Sequence, residues 1–526
     1  NPTLLENSKK GKYTETRGEE RQTYGDVMLN LSKTFKEKFS LDAHIGASIK
    51  DNRFDELSVY GPIAGAPNIF NVVNLDKSQK KTPKTGWHEQ TQSFFYSLEL
   101  GWKSQLFVTT TGRNDWASQL ANSPQKSFFY PSVGVSWLPS STFNFPEKFN
   151  YLKIRASWAS VANPFPRELT IATHPYDDTI SGWDDKSNYP IGQLYPERTK
   201  TWELGFDARF LHGFTLSASW YRADTYNQTF NPNLSASSGY SDIYIQTGHV
   251  RNTGVEASLG YDHQWKNWNW NSQFTFSWNK NKIIELCKEW YNPITEETIT
   301  MNRLQISKLG RAKFILKEGG SMGDLYSTTD LRRDDKGNIE IDEGGNVPVE
   351  DNLPDMKLGS VFPDYNLAWR NSVSWKNLNL GFLVTARIGG IVNSLTQANM
   401  DLFGVSEATA AARDAGGALV NGRSLVNPET WYTAIASQGG IPQYYTYSAT
   451  NVRLQELSLG YTIPRKWLHN ICSITVSFVG RNLWMMYCKA PFDPEAVAST
   501  NNFYQGMDYF MMPSTRNLGF NINIKF

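Results

Sequence analysis

Between Thr201 and Asp224 apolar and polar side chains alternate along two arms joined by Leu211-His212-Gly213. Trp202, Leu204, Phe206, Ala208 and Phe210 hold the even positions of the first arm, and Glu203, Gly205, Asp207 and Arg209 hold the odd ones. In the second arm Phe214, Leu216, Ala218 and Trp220 alternate with Thr215, Ser217, Ser219 and Tyr221. Side chains of a strand point to opposite faces with period two, so each arm carries one apolar and one polar face. The glycine in the link predicts a tight reversal at Gly213. Each arm is about ten residues, the length of a tilted strand that crosses a bilayer. One such hairpin also suits a water-soluble sandwich, so the choice rests on repetition.

The pattern recurs along the chain. Strands are predicted at 23–35 and 39–50, 93–102 and 106–111, 127–138 and 151–159, 250–263 and 269–283, 366–375 and 378–388, 452–464 and 471–483, and finally 516–526. With the opening hairpin that makes about fifteen strands, joined alternately by short turns and long polar stretches. The long loops are expected at about 51–86, 160–199, 225–249, 284–364, 389–450 and 484–513. Short turns at one end and long loops at the other describe a bacterial outer-membrane barrel, whereas a sandwich has no reason to segregate them. Closure also leaves no lipid-exposed edge. The expected fold is therefore all-β, a transmembrane antiparallel β-barrel.

Composition is consistent with this. The 526 residues have a net charge of +1 and include 18 Trp, 25 Tyr and 29 Phe, side chains that settle at membrane interfaces. The mean hydropathy of -0.49 would suit a soluble protein, but a barrel averages a lipid face with a polar lumen. Near-zero net charge gives no support for a nucleic-acid partner. Cys287, Cys472 and Cys488 form no metal spacing; Cys287 and Cys488 both fall in expected loops, where a pairing stays open. The last strand follows a long loop and runs inward, and counting back the first does too. Single-chain bacterial barrels have an even number of strands, so at least one strand, with an N-terminal portion, is expected upstream of Asn1.

Several segments resemble the C-terminal barrel half of the SusC/RagA-type TonB-dependent transporters of Bacteroidota. They are Tyr130-Pro-Ser-Val-Gly-Val-Ser-Trp137 followed by Leu152-Lys-Ile-Arg-Ala-Ser157, Pro196-Glu-Arg-Thr-Lys-Thr-Trp-Glu-Leu-Gly205, and Gly248-His-Val-Arg-Asn-Thr-Gly-Val-Glu256. Near the end come Arg453-Leu-Gln-Glu-Leu-Ser-Leu-Gly-Tyr461, Gly480-Arg-Asn-Leu483, Phe492-Asp-Pro-Glu495 and Pro513-Ser-Thr-Arg516. The resemblance implies a barrel of twenty-two strands around an N-terminal plug, TonB-dependent import of oligosaccharides or peptides across the outer membrane, and a SusD-type surface lipoprotein as lid. Neither the plug nor the TonB-contacting segment is among these residues. A passive porin and a surface binding or adhesion barrel are the rival functions.

Candidate site residues follow from the same reading. Glu203, Asp207, Arg209 and Glu256 are expected to face the lumen. Loop aromatics Trp183, Tyr189, Trp290, Tyr291, Tyr444, Tyr445, Tyr504 and Tyr509 offer flat faces for sugar rings or peptide contacts. Phe520, Ile522, Ile524 and Phe526 in the last strand resemble the barrel-assembly signal. Asp334, Asp335, Asn338, Glu340 and Asp342 surround Gly337 with oxygen donors, as a weak calcium loop would, though the strict ligand spacing is missing and a solvated acidic turn explains them as well. No other cofactor is expected. The seven histidines make no ligand pair, and no nucleophile, phosphate loop or acid–base pair converges as an enzyme needs.

Overall fold

The alternation is realised as one antiparallel sheet of fifteen long strands, each hydrogen-bonded to the next in the chain. The structure, a computed structural model, describes residues 10–167, 169, 176–177, 182–183, 194–230, 244–246, 248–292, 296–499 and 504–526. In chain order the strands are β1 (Lys12–Phe35), β2 (Phe39–Pro62), β3 (Lys84–Trp102), β4 (Leu106–Ala117), β5 (Phe128–Trp137), β6 (Phe149–Asn163), β7 (Glu197–Phe210), β8 (Phe214–Tyr226), β9 (His249–Gln264), β10 (Trp268–Glu285), β11 (Tyr365–Trp375), β12 (Leu378–Ile388), β13 (Asn451–Ile463), β14 (Ser473–Cys488) and β15 (Asn517–Lys525). The chain divides into two compact units, one of residues 1–135, 158–200 and 227–246, the other of 136–157, 201–226 and 247–526.

In the first unit β1 and β2 pair without interruption from Lys12↔Pro62 to Phe35↔Phe39. Both continue well past the boundaries expected at Thr23 and Lys50, and the loop expected at 51–86 is strand as far as Pro62 and again from Lys84. The extension is mostly polar, with Phe54, Leu57, Val59 and Tyr60 following no single parity, so the period-two signal fades while the backbone ladder persists. Thr and Tyr favour the pleat there, and Thr16 and Ser58 hydroxyls meet across it at 2.7 Å. Where the alternation is strong, the apolar positions are exposed; Val27 is 79% exposed. Buried apolar residues of this unit gather at and just past the strand ends, with Leu120, Phe128, Phe165 and Leu194 in one cluster.

The tight turns are made differently from expectation. Leu211 and His212 take the left-handed φ values (49° and 51°), as do Lys36 with Glu37 and Lys103 with Ser104. Two successive positive φ angles match the twist of a two-residue hairpin turn, at a cost of about 1 kcal/mol or more for each non-glycine residue. Gly213 serves a different need. A Cβ there would lie 2.5 Å from the carbonyl oxygen of Asp262, whose own N–H donates to the Gly213 carbonyl at 2.9 Å. Glycine lets the neighbouring strand end approach.

In the second unit the strands from β8 to β14 pair in sequence, with Phe214↔Tyr261, Trp268↔Trp375 and Leu378↔Tyr461 near the short turns. The long loops fold into a packed assembly that composition did not announce. Arg303–Leu309, Ala312–Lys317, Asp324–Ser327 and Met356–Ser360 form a four-stranded sheet. Three helices follow, α1 (Leu395–Leu402), α2 (Glu407–Asp414) and α3 (Pro428–Ala436). Their N-caps are Ser394, Ser406 and Asn427, each accepting a backbone N–H of the first turn, and Pro428 opens α3 where no N–H is needed. One core gathers Phe314, Leu325, Val361, Leu395 and Met507; another gathers Ala398, Val420, Ile435, Ile441 and Tyr445. No disulfide joins Cys287 to Cys488, so the pairing left open by the sequence is not formed, and Cys287 is buried.

Candidate functional site

On the polar face of the second unit's strands lies a recess of about 700 Å³. Its charged lining is Arg155 of β6, Glu256 of β9, Arg387 of β12 and Glu495, with Ser217, Ser219 and Gln455 between them. On the strands these are the polar positions of the alternation, Ser217 and Ser219 for example alternating with Leu216, Ala218 and Trp220 on β8. The other parity is exposed and apolar: Leu204 is 55% exposed, and Trp202 and Phe206 lie alongside.

Arg155 organises one wall. Its Nη1 donates to Asp207 Oδ2 at 2.6 Å and its Nε lies 3.6 Å from Glu203 Oε1. The guanidinium reaches both carboxylates by lying across Gly205, where a Cβ would sit 2.8 Å from it. Gly205 thus leaves room for a side chain crossing its strand, and a Cβ there would make the Arg155 guanidinium shift. Ser217 donates to the second Asp207 oxygen at 2.6 Å, so this carboxylate is fully engaged. Arg209 stands apart with its guanidinium over the Tyr151 ring, 5.0 Å from the centroid. Glu256 is exposed on the recess wall.

Two further arginines connect strands to loops. Arg387 donates from Nη2 to the Val361 carbonyl at 2.7 Å, while its buried Nε has no partner among the described residues. Arg453, 5% exposed, makes a two-pronged contact with Asp493 at 2.8 and 3.1 Å and lies 3.2 Å from Glu495. Burial alone would raise the Asp493 pKa, but the bonds from Arg453 hold it below the usual carboxylate range. Two motifs read separately in the sequence, Arg453-Leu-Gln-Glu and Phe492-Asp-Pro-Glu, are therefore halves of one clamp. At the loop end of β8, Asp224 accepts from Arg222 (2.8 Å), His249 (2.6 Å) and Arg251 (2.7 Å) in the same manner.

The loop aromatics divide. Tyr445 is 2% exposed and donates its hydroxyl to Asp401 at 3.0 Å. Burial, and then the Asp401 charge, push its phenol far above the ordinary value. Tyr444 packs on the same core, edge-on to Trp431 with centroids 6.0 Å apart. The expectation of an open stacking face is corrected for Tyr445, whose ring is consumed by a loop core that alternation could not reveal, while Tyr444 is half-buried against that core. Tyr291, Tyr504 and Tyr509 are exposed. Trp183 pairs with Tyr176 and Trp290 with Ile299 through the backbone, their side chains lying outside the described residues, as does all of Tyr189.

The acidic turn is not built as a cation site. Asp334 Oδ1 accepts the backbone N–H groups of Lys336 (2.9 Å) and Asn338 (2.8 Å), and both its oxygens accept the Asn338 amide. Asp342 repeats the arrangement with Asn346 eight residues later, and Glu340 is paired with Arg332 at 2.6 Å. Hydrogen bonds to the charged form lower both Asp pKa values. The Asp334, Glu340 and Asp342 oxygens expected for calcium accept from N–H donors, and among the described residues no three His, Cys, Asp or Glu side chains gather. In β15, Phe520, Ile522 and Ile524 are exposed, Phe520 packing edge-on to Phe478, and Phe526 lies just beyond the strand.

Sequence reasoning missed Arg155, Arg387 and Arg453. The signal for Arg155 was available, since Lys153 and Arg155 break the polar face of β6 beside a strand bearing Glu203 and Asp207.

The sequence model described as TonB dependent receptor-like, beta-barrel matches residues 4–483. TonB-dependent receptor P3 of Formosa agariphila is 26% identical over 94% of this chain and 52% of its own length. TonB-dependent receptor SusC of Bacteroides thetaiotaomicron is 21% identical over 71% of this chain and 38% of its own. The RagAB peptide importer in its 'open-open' state superposes with a TM-score of 0.77 at 18% identity, over 98% of this chain and 56% of that one. The chain thus spans about half the length of the curated relatives it matches over most of its own length.

Proposed function

Because this chain belongs to the TonB-dependent receptor-like β-barrel family and is an outer-membrane β-barrel protein, we propose that it forms the barrel part of a SusC-type nutrient importer. Membership sets it among transporters and receptors and outside the enzymes. In this reading the exposed apolar parity of the strands faces lipid, and Glu203, Asp207, Arg209 and Glu256 face the lumen. Energy comes from TonB, a SusD-type lipoprotein lids the long-loop end, and the terminal Phe520, Ile522, Ile524 and Phe526 guide assembly.

The observation that carries the reading is the pairing of a polar recess between strands with a folded loop assembly tied to those strands. Gly319 and Gly320 exchange backbone hydrogen bonds with Ile283 of β10 at 2.8 Å, and Ser321 and Met322 both donate to Asn281. Loops so anchored hold a fixed surface for a solute or a lid. Of the two substrate classes, peptides fit better. The recess presents both charge signs, Arg155 and Arg387 with Glu256 and Glu495, while of the candidate stacking rings Tyr445 is withdrawn into the core and Tyr444 is half-buried against it. Oligosaccharide remains the second reading, through exposed Tyr291, Tyr504 and Tyr509.

Uptake tests it directly. Cells carrying the intact protein as sole importer of its type accumulate a labelled mixed-peptide pool, and collapse of the proton gradient abolishes this. Accumulation of labelled oligosaccharides instead selects the second class. Entry of both pools independent of the gradient contradicts import and describes a pore. A lipoprotein that co-purifies supports the lidded form.

A further inference from the structure

The short-turn end of the second unit carries a repeated pair of side chains. Trp265-Lys266, Trp375-Lys376 and Lys466-Trp467 each set an indole beside a cation, at the turns β9–β10, β11–β12 and β13–β14. Backbone bonds knit these turns into one rim: Lys376 N–H donates to the Asn267 carbonyl at 2.9 Å, and Thr462 N–H to that of Asn377 at 2.8 Å. The indoles are exposed, Trp467 most of all, and Trp268 stacks on Trp375 with centroids 5.6 Å apart. Lys376 Nζ lies 5.1 Å from the Trp375 centroid. Lys266, Lys376, Arg465 and Lys466 are all exposed, and none is in an ion pair among the described residues. The three turns contain no acidic residue; the nearest carboxylate along the chain, Asp262, accepts from Asn271 at 3.0 Å. The first unit repeats the motif by itself, with Lys103 Nζ 4.9 Å from the ring centroid of Trp102.

Exposed indoles settle at the level of lipid headgroups, where the lysine beside each one meets phosphate. Surface cations scattered at random would not each adjoin a tryptophan. We propose that this rim is a binding surface for anionic phospholipid headgroups in the leaflet facing the short turns, with Lys266, Lys376, Arg465 and Lys466 holding the phosphates and Trp265, Trp375 and Trp467 the glycerol level. It fixes the depth and tilt of the barrel wall and goes beyond the import reading, requiring only that the strands lie in a membrane.

The test is lipid retention by native mass spectrometry on the intact protein, extracted and exchanged into nanodiscs of phosphatidylglycerol and phosphatidylethanolamine in equal amounts. The wild type is expected to retain phosphatidylglycerol preferentially. A Lys266→Gln, Lys376→Gln, Arg465→Gln, Lys466→Gln variant loses that preference, each charge contributing roughly five-fold. Lys77→Gln, Lys80→Gln, Lys308→Gln with Lys336→Gln, four exposed lysines of the long loops, keeps it and controls for net charge. Equal retention of the two lipids by the wild type overturns the proposal, as does an unchanged preference in the four-fold variant with native heat-modifiable migration. Displacement by excess inorganic phosphate also overturns it, since a free-anion site would then explain the binding.

Discussion

Within the second unit the strand wall and the loop assembly use the same apolar residues in opposite ways. In the wall, Leu204, Phe274, Trp369 and Leu380 are exposed on a continuous face while polar side chains line the recess. In the loops, Phe314, Leu316, Leu325 and Ile441 are fully buried. One solvent cannot favour both. A wall that turns its large hydrophobics outward is stable where the outside is hydrocarbon, and a loop assembly that hides them is stable where the outside is water. The boundary between lipid and water thus crosses the molecule between its strands and its long loops.

The sharpest way to break this contrast is to delete the same ring from each region. Phe314→Ala empties a fully buried site and should cost about 3–5 kcal/mol, seen as early proteolysis of the loops while the strands stay resistant. Phe206→Ala should cost far less in the same assay. A reversed order would contradict the assignment of a water-facing core to the loops. Placing a charge on the wall comes next. Leu204→Arg should cost about 2–4 kcal/mol at mid-bilayer and less near an interface. An unchanged folded fraction with Arg at 204, 206 and 216 alike would remove the lipid face.

On the opposite face, Asp207→Ser should leave assembly intact and shift stability by less than about 1 kcal/mol, because its pair with Arg155 is part-exposed. Loss of the folded band on denaturing gels would show a structural role for the recess wall. The last effect concerns pH. Hydrogen bonds from Arg303, at 2.6 and 2.8 Å, and from Lys317 hold the Asp355 carboxyl well below the usual carboxylate range. Its folded value is lower than its unfolded one, so its stabilisation is complete above the ordinary Asp value of about 4 and is lost as pH falls below it. Followed by tryptophan fluorescence, the loops of the wild type should melt above those of Asp355→Asn by a constant margin from pH 8 to 5, the wild type losing its advantage only below about pH 4.

The contrast also explains what could be read from the chain beforehand. Strand positions, their chain-order pairing and the segregation of turns were legible because a two-solvent wall imposes strict period two, as in 202–210 and 378–388. The loop core was not, because its burial follows irregular turns and short elements in which Gly, Asp and Ser mark caps and reversals. Ser394 and Ser406 cap helices there, and Asp334 and Asp342 hold Asp-x-x-Gly-Asn turns that resemble a cation loop by composition alone. For the same reason Tyr445 looked like a surface ring. The length of β1 and β2 was hidden in another way, since a mostly polar ladder keeps its hydrogen bonds without any alternation. The Arg453–Asp493 clamp needed the fold to join two motifs forty residues apart.

Site-directed spin labelling along Trp202 to Phe210, in protein whose three cysteines are replaced, measures the central claim most directly. Labels at 202, 204, 206, 208 and 210 should be accessible to oxygen dissolved in lipid, and labels at 203, 205, 207 and 209 to a water-soluble nickel chelate, the two profiles alternating out of phase. Equal access of the nickel chelate to both parities would mean that water bathes both faces of the wall, and the division of the molecule between lipid and water would be wrong.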